Sequence, residues 1–353
     1  MNIVNSLTLL VLIVTVTISI FISSIEESWA DEVIDTIKVG ESPYPIEYNP
    51  NNNNVYVANQ NQITGAGSVS VIDSSTNQVI NTVEVGDSPY SMKYVEDNNM
   101  LYVANYGAFT SQRQDSISVI DTSTNRVIDI IRVGDAPWRM EYSPDNKDLY
   151  VINQGGTVGS VSVIDTTSNR VIDTIEVEAS PSSIELNPDN GYIYITNDNS
   201  RSVSVIDTST NRVIDTIEVE DAPRNIEYNP DNSFMYVLNY GSGSVSVIDS
   251  STNRVIDTLN VGDTPYAVEY NPSNSNIYVA NQEQATVSII DTIDNKVIDT
   301  VNVGNNPLDL EYNPVNNNIY VANDGAASVS IIDDKNNKVI ETVSVDSSYF
   351  TGV

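Results

Sequence analysis

Apolar and polar residues alternate along most of this chain with a period of two. Residues 202–219, SVSVIDTSTNRVIDTIEV, show the pattern: serine against valine, a polar turn-forming run, then a second Val/Ile-rich run. Such short runs, rich in Val, Ile and Tyr and bounded by Asn, Asp, Gly and Pro, predict β-strands. From residue 31 onward no window carries a helical apolar period over the length a helix requires. Connectors such as YNPDN and DTSTNR place Pro, Asn and Asp where tight turns need a preset φ or a left-handed backbone, so the strands are read as antiparallel hairpins.

The strands repeat as sentences. The phrase V-I-D-T-I-x-V, with small edits, begins at Val33, Val79, Val127, Val171, Val213, Val255, Val297 and Val339. Between successive copies come P-x-x-[IMVL]-E-Y, then [VILM]-Y-V-x-N, then S-V-S-V-I-D, seven times each. Four antiparallel strands per unit of about 42 residues, repeated seven times, predict an all-β fold: a seven-bladed β-propeller of four-stranded blades. One blade cannot bury both its faces, whereas a closed ring stacks each on the next. The units are expected at about 43–85, 89–133, 137–177, 181–219, 223–261, 265–303 and 307–345. The eighth V-I-D-T copy, 33–39, is left over. It is expected at the outer edge of blade seven, displacing 339–345 or adding beside it, as a closing strand.

Residues 2–25 carry no charge and are dense in Leu, Ile and Val, and Ser28-Trp29-Ala30 offers a cleavage site. Residues 1–30 are therefore expected to act as a signal peptide or as an N-terminal membrane anchor, with the remainder extracellular, on the cell surface or in a periplasm-like space. Composition narrows the chemistry. The chain has no Cys and no His, which removes disulfides, thiolate nucleophiles and the commonest general base and metal ligand. Its formal net charge of −33 opposes nucleic acid and anionic lipid, so membrane contact is expected only through an uncleaved amino-terminal segment. The single N-x-[ST] triplet, Asn271-Pro272-Ser273, is disqualified by its proline.

The multi-part phrase IYVAN…SVSVIDTSTNRVIDTIEV resembles the YVTN β-propeller repeat family, known from archaeal surface-layer and bacterial periplasmic proteins. The resemblance covers about 33–345, although Tyr-Val-Thr-Asn itself is mostly Tyr-Val-Ala-Asn here, as at Tyr56–Asn59. It implies seven blades and a cell-envelope setting. Similar propellers include lactonases and streptogramin-type lyases that use histidine or acidic metal sites. The lyase chemistry is out of reach without His, and a metal-dependent lactonase-like hydrolase using carboxylates alone stays as the alternative. The leading expectation is a non-enzymatic, cofactor-free module that binds protein or glycan at the cell envelope, surface-layer association included.

Two residue sets are candidates for that role. The residue after each strand-leading proline varies, and it opens on the same face as the Y-V-x-N loops, which are long in the first three blades. Tyr44, Tyr90, Trp138, Arg224 and Tyr266, with Arg139 and Arg113 beside the long loops, are the ligand-binding candidates. Further along the same strand, Glu47, Glu141, Glu185, Glu227, Glu269 and Glu311 recur in six blades, with Lys93 in the other. They would either recruit a Ca²⁺ ion or accept hydrogen bonds from the next blade.

Overall fold

The computed structural model describes residues 33–61, 64–107 and 115–345. Seven four-stranded antiparallel sheets form the ring. In blade one the strands are β1 (Pro43–Asn49), β2 (Asn54–Gln60), β3 (Gly67–Asp73) and β4 (Gln78–Val85), hydrogen-bonded in that order. The other six repeat this order over 89–132, 137–177, 181–218, 223–260, 265–302 and 307–344. The Pro-led strand is innermost in each blade and the V-I-D-T strand outermost.

Alternation along the two middle strands builds the core. Six apolar clusters each straddle a pair of neighbouring blades; Tyr56, Ala58, Val69 and Val71 of blade one, for example, pack on Met92, Leu101 and Ile120 of blade two. The serines of S-V-S bond within and between blades. In blade three, Asn153 Nδ2 donates to Ser160 Oγ at 3.1 Å and Ser162 Oγ at 3.0 Å, and Gly134, arriving from blade two, donates its N–H to Ser162 Oγ at 3.2 Å. A Cβ on Gly134 would lie 2.7 Å from Asn153 Cγ, so this close approach needs glycine.

The outer strands would be seven open edges, each a template for stray pairing. The Asp of V-I-D-T occupies one donor there: Asp173 Oδ1 accepts the Thr174 N–H at 2.8 Å. Equivalent bonds are made by Asn81, Asp129, Asp215, Asp257 and Asp299. A register shift, as between Val163 and Ile164, further breaks the regularity of each edge.

The junction of blades seven and one departs from expectation. Residues Lys338–Ser344 keep the outer position of blade seven, so the leftover copy does not displace them. Within 33–39 only Asp35 forms a β-bridge, and the segment adds no fifth strand to blade seven. It lies instead across the seam. Val33 packs on the blade-seven cluster of Tyr320, Val329 and Ile331, while Ile37 and Val39 pack on the blade-one cluster of Val55, Val57 and Ile72. At this seam the core is split in two, and the amino-terminal segment covers both halves.

Candidate functional site

Two main-chain features place the residues around the mouth of the ring. The residue before each strand-leading proline takes a left-handed backbone (Ser88 at φ 52°, Ala136 at 56°, Ala222 at 54°). In blades two to seven its carbonyl accepts the N–H of the residue that follows Y-V-x-N: Tyr106 to Ser88 at 2.9 Å, Gln154 to Ala136 at 3.0 Å, Tyr240 to Ala222 at 2.9 Å; in blade one Gln60 bonds Glu41 instead. The inner-strand leader and the Y-V-x-N loop of one blade are thereby tied together at the same rim. In blade three the tie is tightened by Gly155, where a Cβ would stand 2.3 Å from Asp135 Cβ.

The rim encloses a cavity of about 660 Å³. Of the residues singled out in the sequence, Tyr90, Trp138, Arg139, Arg224 and Tyr266 all line it. Tyr44 is outside the lining and stands edge-on to Tyr90 with ring centroids 5.6 Å apart. Arg113 lies outside the described residues. Tyr106, Gln154, Ser180, Asp198 and Asn199 are further lining residues, outside the candidates drawn from the sequence. Their signal was present: each sits on or beside the loop after Y-V-x-N, the segment that varies most between repeats.

The cavity has two aromatic walls. On one side Trp138 stacks on Tyr90 at 3.6 Å between centroids and 23° between planes, with Tyr106 edge-on to Trp138 at 5.8 Å. Trp138 is half-buried against the core shared by blades three and four, which fixes its ring. Opposite, Arg224 lies 3.9 Å above the ring centre of Tyr240, and Tyr240 meets Tyr266 edge-on. Arg224 Nε also donates to Asp198 Oδ2 at 3.0 Å. Arg139 reaches from blade three towards blades four and five, and its Nη1 donates to Ser183 Oγ at 3.3 Å and Asn225 Oδ1 at 3.4 Å.

Below the mouth, four of the six glutamates follow the second expectation, hydrogen bonding to the next blade. Glu47 Oε1 accepts the Tyr94 N–H at 2.9 Å and Glu269 Oε1 the Tyr312 N–H at 3.0 Å; Glu185 and Glu227 accept from Tyr228 and Tyr270. Lys93, the exception in the series, pairs with Glu141 at 2.8 Å. Among the described residues no three acidic groups come together as a cation site. Burial within the ring pushes Glu47 up to about 7, against the pull of the Tyr94 N–H and Lys93. Glu185, Glu227, Glu269 and Glu311 are raised too, first by burial and then by the carboxylates beside them. These side chains touch the channel space, yet inner strands surround them on all sides, and that enclosure is what disfavours their charge.

Solved structures similar to this chain are propellers of diverse kinds. Kuenenia stuttgartiensis hydrazine synthase aligns with a TM-score of 0.65 and 23% identity over 83% of this chain and 96% of its own. The dihydro-heme d1 dehydrogenase NirN aligns at 0.69 with 12% identity, over 87% of this chain and 66% of its own. A Bacteroides fragilis protein provisionally described as a 6-phosphogluconolactonase aligns at 0.59 with 16% identity, over 79% and 91%. At such identities the likeness speaks for the fold alone. No curated protein matches the sequence. The choice-of-anchor I domain family does match, over residues 10–219. That span is more than half the chain, and the chain belongs to the choice-of-anchor I domain family.

Proposed function

We propose that this chain is a non-enzymatic binding module held at the cell surface, and that it takes a glycan or protein of the cell envelope into the mouth of its ring. Membership of a choice-of-anchor family supports the surface setting, and the repeat phrases support a finer kinship with YVTN-type envelope propellers. One observation carries the binding role: five side chains drawn from four blades, Tyr90, Trp138, Arg139, Arg224 and Tyr266, converge on one cavity of about 660 Å³. Rigid aromatic faces beside polar groups on variable loops are how a scaffold recognises a sugar or a peptide.

The reading includes no catalytic residue and no resident cofactor. The chain has no His or Cys, and Asp198, the carboxylate lining the cavity, is held by Arg224. Nucleic acid is not a partner in this proposal, given the charge of −33. Co-sedimentation of the purified chain with cell-envelope fragments tests it. Wild type is expected in the pellet, and Trp138→Ala with Tyr266→Ala is expected to weaken binding roughly tenfold or more. Undiminished binding by a folded double variant would remove the mouth as the site.

A further inference from the structure

We propose that the mouth takes a carboxylate-bearing sugar, a uronate unit of an acidic glycan, with the carboxylate seated on Arg139. This rests on the reading of the mouth as a binding site and adds the chemistry of its ligand.

Arg139 and Arg224 both line the cavity, and they are not alike. Arg224 is engaged on two sides, by the Asp198 carboxylate at 3.0 Å and by the face of Tyr240. Arg139 is half-buried, and its hydrogen bonds are two long ones from Nη1 to neutral oxygens, at 3.3 and 3.4 Å. Among the described residues no carboxylate stands within ion-pair distance of it, although Asp309 and Glu185 are near enough to feel its charge. A guanidinium carries five donors in a planar fork matched to a carboxylate, so most of that capacity is unspent. In a chain with 48 acidic residues and 15 Lys plus Arg, a cation left unpaired inside a cavity is a place prepared for an anion from outside.

The remaining walls say which anion. Trp138 and Tyr266 supply aromatic surface for the apolar face of a sugar ring. Gln154, Ser180 and Asn199 supply donors and acceptors for hydroxyls, and the Asp198 carboxylate is an acceptor that suits a hydroxyl and repels a dianion. One negative charge on a hydroxyl-rich ring satisfies this set; a phosphate or a polyanionic strand does not. About 660 Å³ gives room for a short oligosaccharide.

Calorimetric titration of the full chain with a galactose trisaccharide carrying a single galacturonate unit, and with its methyl ester, tests the inference, since the ester keeps the rings and removes the one charge. The acid is expected to bind, and the ester roughly tenfold or more weakly. Arg139→Gln is expected to erase that difference, and Arg139→Lys, which keeps the charge without the fork, to retain part of it; the second variant decides the matter if the first does not fold. Equal binding of acid and ester by wild type overturns the carboxylate inference and leaves the mouth as a glycan site. So does binding of neutral galactotriose with no binding of the acid. If envelope fragments also fail to bind, the mouth reading itself falls with it.

Discussion

The hydroxyl of Tyr150 in blade three donates to Asn211 Oδ1 in blade four at 2.7 Å. Both residues are repeat words, Tyr from Y-V-x-N and Asn from the DTSTNR turn. Asn211 takes a left-handed backbone at φ 53°, which Asn tolerates better than most side chains, so one residue closes a hairpin and receives the neighbouring blade. The same bond joins Tyr56 to Asn125, Tyr102 to Asn169, Tyr194 to Asn253 and Tyr236 to Asn295, at 2.8 to 3.0 Å. Tyr150→Phe leaves Asn146 and Asn211 without this partner in a partly buried place, and is expected to lower unfolding stability by about 1 kcal/mol. Asn211→Ala adds left-handed strain and is expected to cost more. Urea denaturation measures both; a Phe variant as stable as wild type would show that the hydroxyl contributes nothing.

The buried carboxyls make stability depend on pH. The folded ring holds Glu47 at about 7, above its ordinary 4.5, so between those values the folded state binds more protons than the unfolded one. Its contribution is full below about 4.5 and lost as pH rises through 7, and Glu185, Glu227, Glu269 and Glu311 act in the same direction. The turn aspartates Asp73, Asp121, Asp165, Asp207 and Asp249 work oppositely. Hydrogen bonds from the Ser and Thr that follow hold them below 3.8, so their contribution fades only in stronger acid. Scanning calorimetry should show the melting temperature falling from pH 5 to pH 8, with Glu47 alone supplying on the order of 2–3 kcal/mol. Glu47→Gln should flatten that slope. A melting temperature that rises over this interval would contradict the enclosed-carboxyl account.

At the seam, Val33, Ile37 and Val39 cover apolar surface that a neighbouring blade covers elsewhere. Replacing all three with Ser is expected to remove about 2 kcal/mol and lower the melting temperature by roughly 3 °C or more. The same triple change in V-I-D-T residues already exposed on outer strands, such as Ile128, Ile130 and Ile172, should do less. Equal effects would mean that 33–39 is not the closing segment.

The blades were legible in the sequence because seven copies of each strand fix its type and order, and the fixed order of phrases fixes the topology. The glutamate contacts to the next blade were legible too, once the Pro-led strand was placed innermost. The seam was not. An eighth V-I-D-T copy reads as an eighth strand, but blade seven already has its own at Lys338–Ser344, and the copy bridges only at Asp35 and otherwise packs through its side chains. At the mouth, the residues after the prolines could be found by their variation. Tyr106, Tyr240 and Asp198 escaped because their contribution depends on the main-chain tie to Ser88, Ala222 and Ser180, which no residue pattern announces.

The most direct test uses light. The chain has two tryptophans, Trp29 in the amino-terminal segment and Trp138 in the wall of the mouth. In a Trp29→Phe variant all indole emission comes from Trp138. Titration with solubilised envelope polysaccharide or protein that co-sediments with the chain is expected to shift that emission saturably, with a midpoint equal to the binding midpoint. Binding that saturates while Trp138 emission stays unchanged would contradict a ligand in the mouth of the ring.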